Sequence, residues 1–156
     1  MKVRSKATWS QKDDWETPRY VLDWIEQNIF KWQPYSDPCP LWHDIELWDW
    51  LEIDRDDRNY CNPPYNITDK PKFVKKAYEE YLKWNLSVLL IPSTTETKWF
   101  HEYLAPYAGI YFIKGRVKFK WYNTKWEYVT NKTGQSGSML CVLDPKWDPF
   151  MTTLEF

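Results

Sequence analysis

Two adjacent prolines, Pro63 and Pro64, constrain the fold of this chain more than any other feature of its sequence. Neither has a backbone N–H to donate to a sheet, and a residue that precedes proline is pushed into an extended conformation. The preceding residues RNYC are typical of a short strand that the prolines end. The segment NYCNPPYN therefore predicts a strand end rich in carbonyl oxygens, beside the side-chain carbonyl of Asn62 and the ring of Tyr65.

Such a strand end suits a planar ligand that carries an amino group, because closely spaced acceptors hold N–H groups and an aromatic face stacks on a ring. In an open α/β sheet, ligands bind at the carboxyl ends of the strands, where this segment is expected to lie. A turn without a chemical role is the alternative, since asparagine before proline is common in turns.

Helical and strand patterns alternate along the first two thirds of the chain, and the last third is rich in strands. This order predicts a single domain over residues 1–156, built on an α/β sheet with an antiparallel edge. The predicted elements are a helix capped by Thr17 with Pro18 as its first residue and ending near Ile29, a strand at RNYCNPP, a helix over Lys72–Trp84 with Trp84 on its buried face, a strand at Ser87–Ile91, a helix at Thr97–Leu104, and strands at Gly109–Ile113, after Lys114, at WEYV and at SMLCVL.

The net charge is only -1, but the charges are segregated along the chain. Residues 36–60 hold eight acids and two arginines, whereas residues 114–132 hold six cations and one glutamate. In the basic segment, apolar residues alternate with Arg116, Lys118 and Lys120, which predicts a strand with one cationic face. This face is expected to contact nucleic acid, or else to be the solvated side of an edge strand that resists aggregation.

The three cysteines are scattered, without C-x-x-C spacing or partner histidines, so neither a zinc site nor a disulfide framework is expected. The N-terminal residues lack the apolar region of a signal peptide, and no segment approaches the roughly 18 apolar residues of a membrane span. A soluble protein in a reducing intracellular compartment is expected.

The ordered motifs of this chain resemble those of the small phage-type DNA N6-adenine methyltransferases of the Dam group, of the N-P-P-Y class. NPPY takes its place in a series that also includes DDWETP (13–18), DPCP (37–40), LLIPSTTETKWFHEYL (89–104), GRVKF (115–119) and GSML (137–140). The resemblance implies S-adenosyl-L-methionine as methyl donor, double-stranded DNA as partner, no metal, and the host bacterial cytoplasm as location. It also implies a Rossmann-like class I methyltransferase sheet with an antiparallel C-terminal hairpin. The sheet is expected to be reduced, because only about 25 residues separate Asp37 from Asn62 and one βαβ unit needs about 30.

The resemblance also assigns roles to residues. The Asn62 side chain and the Pro63 carbonyl would hold the amino group of adenine, and Tyr65 would stack on the flipped base. The implied catalytic set is Asn62, Pro63, Pro64 and Tyr65. The implied cofactor-binding set is Trp15, Thr17, Pro18, Asp37, Pro38 and Asp54, with Asp49 as a competitor for the role of Asp54. Arg116, Lys118 and Lys120 would meet DNA phosphates.

Two other functions fit the sequence. One keeps the chemistry but changes the substrate to RNA or to a protein glutamine, and charge reversal of Lys118 and Lys120 discriminates it, because a protein substrate leaves the basic strand without a purpose. The other is a catalytically inactive DNA-binding relic, in which the shortened cofactor region no longer holds S-adenosylmethionine. Cofactor binding distinguishes this relic from an enzyme.

Overall fold

The computed structural model describes residues 15–38, 51, 56–65, 67–122, 128–133 and 136–156. Its elements in chain order are helix α1 (Arg19–Asn28), strand β1 (Arg58–Cys61), helix α2 (Lys70–Leu82), strand β2 (Leu86–Pro92), a π-helical segment (Phe100–Leu104), and strands β3 (Gly109–Ile113), β4 (Lys118–Tyr122), β5 (Tyr128–Thr133), β6 (Ser138–Leu143) and β7 (Phe150–Leu154).

Within these described ranges, five strands form one mixed sheet in the order β1-β2-β6-β3-β7. Strand β1 is parallel to β2, and β3 is parallel to β7, while β6 runs antiparallel to both of its neighbours. Ser36 extends the β1 edge through a parallel bridge to Asn59. Strands β4 and β5 pair antiparallel in a separate two-stranded sheet. The predicted α/β class is confirmed.

The sheet is covered on both faces, which explains why β2 is an almost continuous apolar run. Successive side chains of a strand point to opposite faces, so β2 contributes to two core clusters. On one face it packs with Val21 and Ile25 of α1, and on the other with Phe73 and Ala77 of α2. Each fully buried side chain of the larger apolar types stabilises the fold by about 1.5–3 kcal/mol. The core therefore fixes β1 and β2 as a rigid base for the residues that follow β1.

The predicted start of α1 is wrong by one residue. Pro18 is the N-cap in an extended conformation, and no side chain caps the helix. The Thr17 hydroxyl is engaged elsewhere, in a buried hydrogen bond with the Tyr60 hydroxyl at 2.5 Å. The Thr17 hydroxyl, which the local sequence pattern predicted to cap the helix, is therefore used in a tertiary contact instead.

The predicted end of α2 is also wrong. The helix ends at Leu82, and Trp84 lies beyond it with 73% of its surface exposed. Trp84 has a left-handed backbone (φ 67°), and the N–H groups of Trp84 and Asn85 donate to the carbonyls of Tyr81 and Glu80. These are the two hydrogen bonds of a Schellman ending, in which glycine is the usual left-handed residue. Because tryptophan takes that position here, the sequence does not indicate where the helix ends.

The predicted antiparallel edge is wrong in its position. Strand β6 is antiparallel, but it lies between β2 and β3 in the middle of the sheet. The edge is β7, which pairs in parallel with β3. Gly109 allows this pairing, since a Cβ there would lie 2.6 Å from the Phe150 ring. Consecutive strands often pair, as β1 with β2 and β4 with β5, but β6 pairs with the distant strands β2 and β3, which the order of strands in the sequence does not predict.

Candidate active site at the carboxyl end of strand β1

The NPPY segment lies directly after β1, beside the end of the parallel strand β2. Pro63 and Pro64 are buried, and the side chains of Asn62 and Tyr65 are partly buried. The Tyr65 hydroxyl donates to the backbone carbonyl of Leu90 in β2 at 3.1 Å. Burial raises the pKa of this hydroxyl well above its usual value, so it stays a neutral donor. The tyrosine ring is therefore held at its far end by the sheet.

The side-chain amide of Asn62 is oriented by a contact with the N-terminal segment. Its Nδ2 donates to the backbone carbonyl of Trp15 at 2.7 Å. Its Oδ1 is buried and makes no hydrogen bond with any part of the chain that the structure describes. An unmade hydrogen bond to a buried polar atom costs about 1–3 kcal/mol, so such an atom calls for an explanation. An acceptor kept for a ligand N–H group is the explanation that fits this position.

Residues 15–18 run between β1 and β4 and complete the site. Glu16 forms an antiparallel bridge with Lys120, in which Glu16 N–H donates to the Lys120 carbonyl at 2.7 Å and Lys120 N–H donates back at 3.2 Å. The Trp15 ring meets Phe119 edge to face at 5.5 Å. The structure thus brings together Trp15, Thr17, Asn62 and Tyr65, four residues that the sequence placed in the site.

Asp37 and Pro38 lie at the same end of the sheet as NPPY. The backbone of Ser36, just before them, accepts from Tyr60 N–H at 2.9 Å and donates to the Arg58 carbonyl at 3.0 Å. Since this pairing is parallel, the residues after Ser36 run in the same direction as those after β1. Asp37 is exposed, whereas Pro38 is buried.

Tyr60 links the two cofactor-binding segments that the sequence predicts. Burial raises the pKa of its hydroxyl well above the usual value; the hydrogen bond with Thr17 opposes this shift, and the nearby charge of Asp37 adds to it. The hydroxyl is therefore neutral and shares its hydrogen bond with Thr17. Sequence reasoning missed this residue, although a tyrosine inside a short apolar strand is a signal that its hydroxyl needs a buried partner.

The predicted alternation of buried and exposed side chains is confirmed where they are described, but strand β4 begins at Lys118, so Arg116 and Val117 precede it. Val117 and Phe119 are 2% and 1% exposed, whereas Arg116 and Lys118 are exposed and Lys120 is partly exposed. The backbone N–H of Lys118 donates to the Tyr20 hydroxyl at 3.4 Å. The bridge from Lys120 to Glu16 places this strand next to the segment that anchors Asn62.

The sequence model of the family described as DNA N-6-adenine-methyltransferase (Dam) matches residues 4–154. This chain belongs to that family. Among curated proteins it is similar to a DNA N-6-adenine-methyltransferase of Haemophilus phage HP1 (strain HP1c1), with 25% identity over 161 residues that cover 94% of this chain and 87% of the relative. The resemblance seen in NPPY and the motifs around it is confirmed at the level of the family.

The Dam family match extends beyond the described residues. Asp54 and its competitor Asp49 both lie outside them, as does Cys39.

Cys61 and Cys141 are buried cysteines, and burial raises the pKa of Cys141 far above its usual value. Among the residues described, no group of three or more His, Cys, Asp or Glu side chains is placed to hold a metal ion. The helices in these same ranges include none with the length and apolar character needed to cross a membrane.

Proposed function

We propose that this protein transfers a methyl group from S-adenosyl-L-methionine to the exocyclic amino group of adenine in double-stranded DNA. Membership of the Dam family supports the reaction class, and the phage HP1 relative is named for that activity. The observation that carries the proposal is Asn62, whose Nδ2 is tied to Trp15 while Oδ1 remains a buried acceptor with no partner in the described chain.

The orientation of the Asn62 side chain suits a reaction whose chemical difficulty is the weak nucleophilicity of the adenine amino group. The lone pair of an adenine amino group is delocalised into the ring, so the nitrogen is a weak nucleophile. Acceptors that bind its two N–H groups favour a more tetrahedral nitrogen, with the lone pair aimed at the methyl group. In the proposed complex Asn62 Oδ1 and the Pro63 carbonyl are these acceptors, and their fixed positions act as preorganised dipoles. The proton that the nitrogen loses passes to water.

Adenine has to leave the duplex to reach this acceptor, because Asn62 Oδ1 is buried at the end of the sheet. The partly exposed ring of Tyr65 is the platform on which the flipped base stacks. Its hydroxyl is fixed on Leu90 and its ring meets Phe119 edge to face at 5.8 Å, so its plane is set before the base arrives. A preset plane lowers the entropy lost on binding.

The residues around NPPY fit the proposed methyl donor. When bound, S-adenosylmethionine supplies an electrophilic methyl group on a positively charged sulfur. The exposed carboxylate of Asp37 lies at the same end of the sheet and acts electrostatically on Tyr60, and in the proposed complex it attracts the ammonium group of the donor. Trp15, Thr17, Pro18 and Pro38 would line its methionine end, and Asp54 its ribose or adenine end.

The proposed fold type rests on the topology of the sheet and on the position of the site. A mixed sheet with helices on both faces and a site at the carboxyl end of β1 supports a reduced Rossmann-like class I methyltransferase. The β4–β5 hairpin is its DNA-contacting part. A phage-encoded enzyme of this kind would act in the cytoplasm of the host bacterium.

The decisive test supplies isotopically labelled S-adenosylmethionine together with unmethylated plasmid DNA, RNA or a glutamine-containing protein. The DNA is digested to nucleosides, and label is expected in N6-methyladenine. Label found only in RNA, or only in glutamine, would mean that this molecule and not DNA is the substrate. If a folded protein gives no label, and calorimetry detects no cofactor binding, the inactive relic would be the better description.

Charge reversal on the basic strand tests the role of DNA phosphates. The double variant Lys118→Glu/Lys120→Glu is expected to weaken binding to all DNA sequences alike. The slope of log K against log salt concentration is negative, and its magnitude should decrease by roughly 2, about one unit for each phosphate that a lysine no longer neutralises. Fluorescence anisotropy with labelled duplexes at several salt concentrations measures both effects.

The matched control is Lys75→Glu/Lys98→Glu, which makes the same charge change on exposed side chains of α2 and the turn before the π-helical segment. Net charge alone would change binding equally in both double variants. Equal slopes in the two double variants would show that the lysines of β4 do not contact DNA phosphates.

A further inference from the structure

Phe119 is a buried residue on the strand that carries the basic side chains. It is 1% exposed and lies between Lys118 and Lys120 on β4, where it pairs with Lys132 of β5. Its ring meets two aromatic rings of the candidate site edge to face, Trp15 at 5.5 Å and Tyr65 at 5.8 Å. Each such pair stabilises by about 0.5–1.5 kcal/mol beyond the area it buries.

The two rings that Phe119 contacts belong to the two parts of the proposed amino-group site. Trp15 provides the carbonyl that accepts from Asn62 Nδ2. Tyr65 is fixed at its hydroxyl by Leu90, and the edge-to-face contact with Phe119 fixes the orientation of its ring. The Phe119 ring therefore joins the Trp15 segment directly to Tyr65.

The backbone of β4 reinforces this link. Glu16, adjacent to Trp15, exchanges two hydrogen bonds with Lys120, adjacent to Phe119. The Trp15 carbonyl is therefore located from β4 by a backbone bridge and by a ring contact. Across β4, the outward lysines and the inward phenylalanine alternate, so one strand borders both the expected DNA surface and the amino-group site.

We propose that Phe119 is a positioning residue for methyl transfer: it holds the Trp15 segment and Tyr65 in register, and through Trp15 it sets the direction of the Asn62 Oδ1 acceptor. This inference rests on the proposed function for its catalytic consequence. Phe119 is only 1% exposed, so in the proposed complex it acts through Trp15 and Tyr65 and not by direct contact with the base or the methyl donor.

The expected signature is a lower rate of chemistry without a loss of DNA affinity. Phe119→Leu removes both edge-to-face contacts and leaves the lysines unchanged. A displacement of about 1 Å between reacting groups costs on the order of 100-fold in rate, so we expect the single-turnover rate to fall by roughly 10- to 100-fold. The dissociation constant for DNA should change by less than about threefold, because phosphate contacts dominate affinity.

The matched control is Phe73→Leu. Phe73 is also 1% exposed, but it lies in the core cluster on the opposite face of the sheet. Both variants lose a buried ring and should lose comparable stability in chemical unfolding. The single-turnover rate should fall in the Phe119 variant alone. An equal fall in both would show that Phe119 acts only through general stability.

A second readout does not depend on activity. The side-chain NH₂ resonances of Asn62, identified by their loss in Asn62→Ala, report on the hydrogen bond to Trp15 in NMR spectra. Phe119→Leu should shift them, and Phe73→Leu should not. Unmoved Asn62 resonances in the Phe119 variant would overturn the inference even if the wild type methylates DNA.

The same spectra separate this inference from the proposed function. If the wild type methylates nothing, the proposed function fails, and the Asn62 resonances still decide whether Phe119 positions Asn62. Phe119→Met, which conserves more volume, undergoes the same tests should the leucine variant not fold.

Discussion

Asn62→Ala is expected to lower the single-turnover rate of methyl transfer by about 100- to 1000-fold, the usual effect of removing one preorganised polar group from a reaction site. The variant loses the acceptor that the described structure leaves buried and unpartnered at the end of β1. It also loses the bond from Nδ2 to the Trp15 carbonyl. The fold should survive, because Asn62 lies beyond the strand and outside both core clusters.

Asn59→Ala is the matched control for this experiment. Asn59 lies three residues earlier on β1, is 1% exposed, and also has a buried Oδ1 without a described partner. Its Nδ2 donates to the backbone carbonyls of Asp56 and Leu86, so its truncation removes structural hydrogen bonds. We expect Asn59→Ala to lower stability and keep the rate. If rapid-quench assays show the same rate for Asn62→Ala and wild type, Asn62 is not an acceptor for the substrate.

The largest expected loss of stability comes from Glu80→Ala, at about 3–5 kcal/mol, the usual result of breaking a buried ion pair. Glu80 is fully buried and pairs with the buried Lys76 at 2.9 Å. It also accepts from Asn85 Nδ2 at 2.8 Å, which ties the end of α2 to the turn before β2. Without the carboxylate, the Lys76 ammonium stays buried and uncompensated.

Glu79→Ala is the control, since Glu79 is the adjacent residue on the same helix and its pair with Lys75 is exposed and 3.9 Å long. Exposed pairs contribute about 0–1 kcal/mol. Urea unfolding of the two variants measures the difference. Equal midpoints would mean that the buried pair contributes no more than a surface pair.

The same carboxylate predicts a pH dependence. Burial acts to raise the pKa of Glu80, but hydrogen bonds from Asn85 and Lys76 and the charges of Lys76 and Lys83 outweigh it and lower the pKa. A lowered folded-state pKa means stability that is present above the unfolded-state pKa of about 4.3 and is lost as pH falls through the folded-state value. The stability difference between wild type and Glu80→Ala should therefore shrink in unfolding experiments below about pH 4.

Local patterns predicted most of the strands. The run SMLCVL is strand β6 as expected, and RNYC ends at its prolines. The patterns failed where a tertiary partner or an unusual residue took over, as with Thr17, whose hydroxyl pairs with Tyr60. The predicted end of α2 was wrong because of an unusual residue, since tryptophan seldom takes the left-handed position that Trp84 occupies at the end of this helix.

The sequence predicted several residues that the structure brings together at the end of β1, but not the contacts among them. The motifs name Asn62, Thr17 and Trp15, yet nothing in the sequence states that Asn62 donates to the Trp15 carbonyl, 47 residues away. Phe119 was recognisable only as the apolar member of an alternating strand. Contacts between segments this distant depend on how the sheet and the hairpin pack, which local periodicity does not encode.

The contact that orients Asn62 is made by a main-chain atom of residue 15, so every residue type at this position supplies the acceptor, and the Trp15 ring only helps to place it. An alanine scan would therefore remove the ring contact with Phe119 but leave the acceptor carbonyl and the backbone bridge of Glu16 in the chain. A one-residue insertion or deletion between residues 15 and 18 would be far more damaging, since it would move the carbonyl away from Asn62. For protein engineers, the length of this segment is the property to preserve.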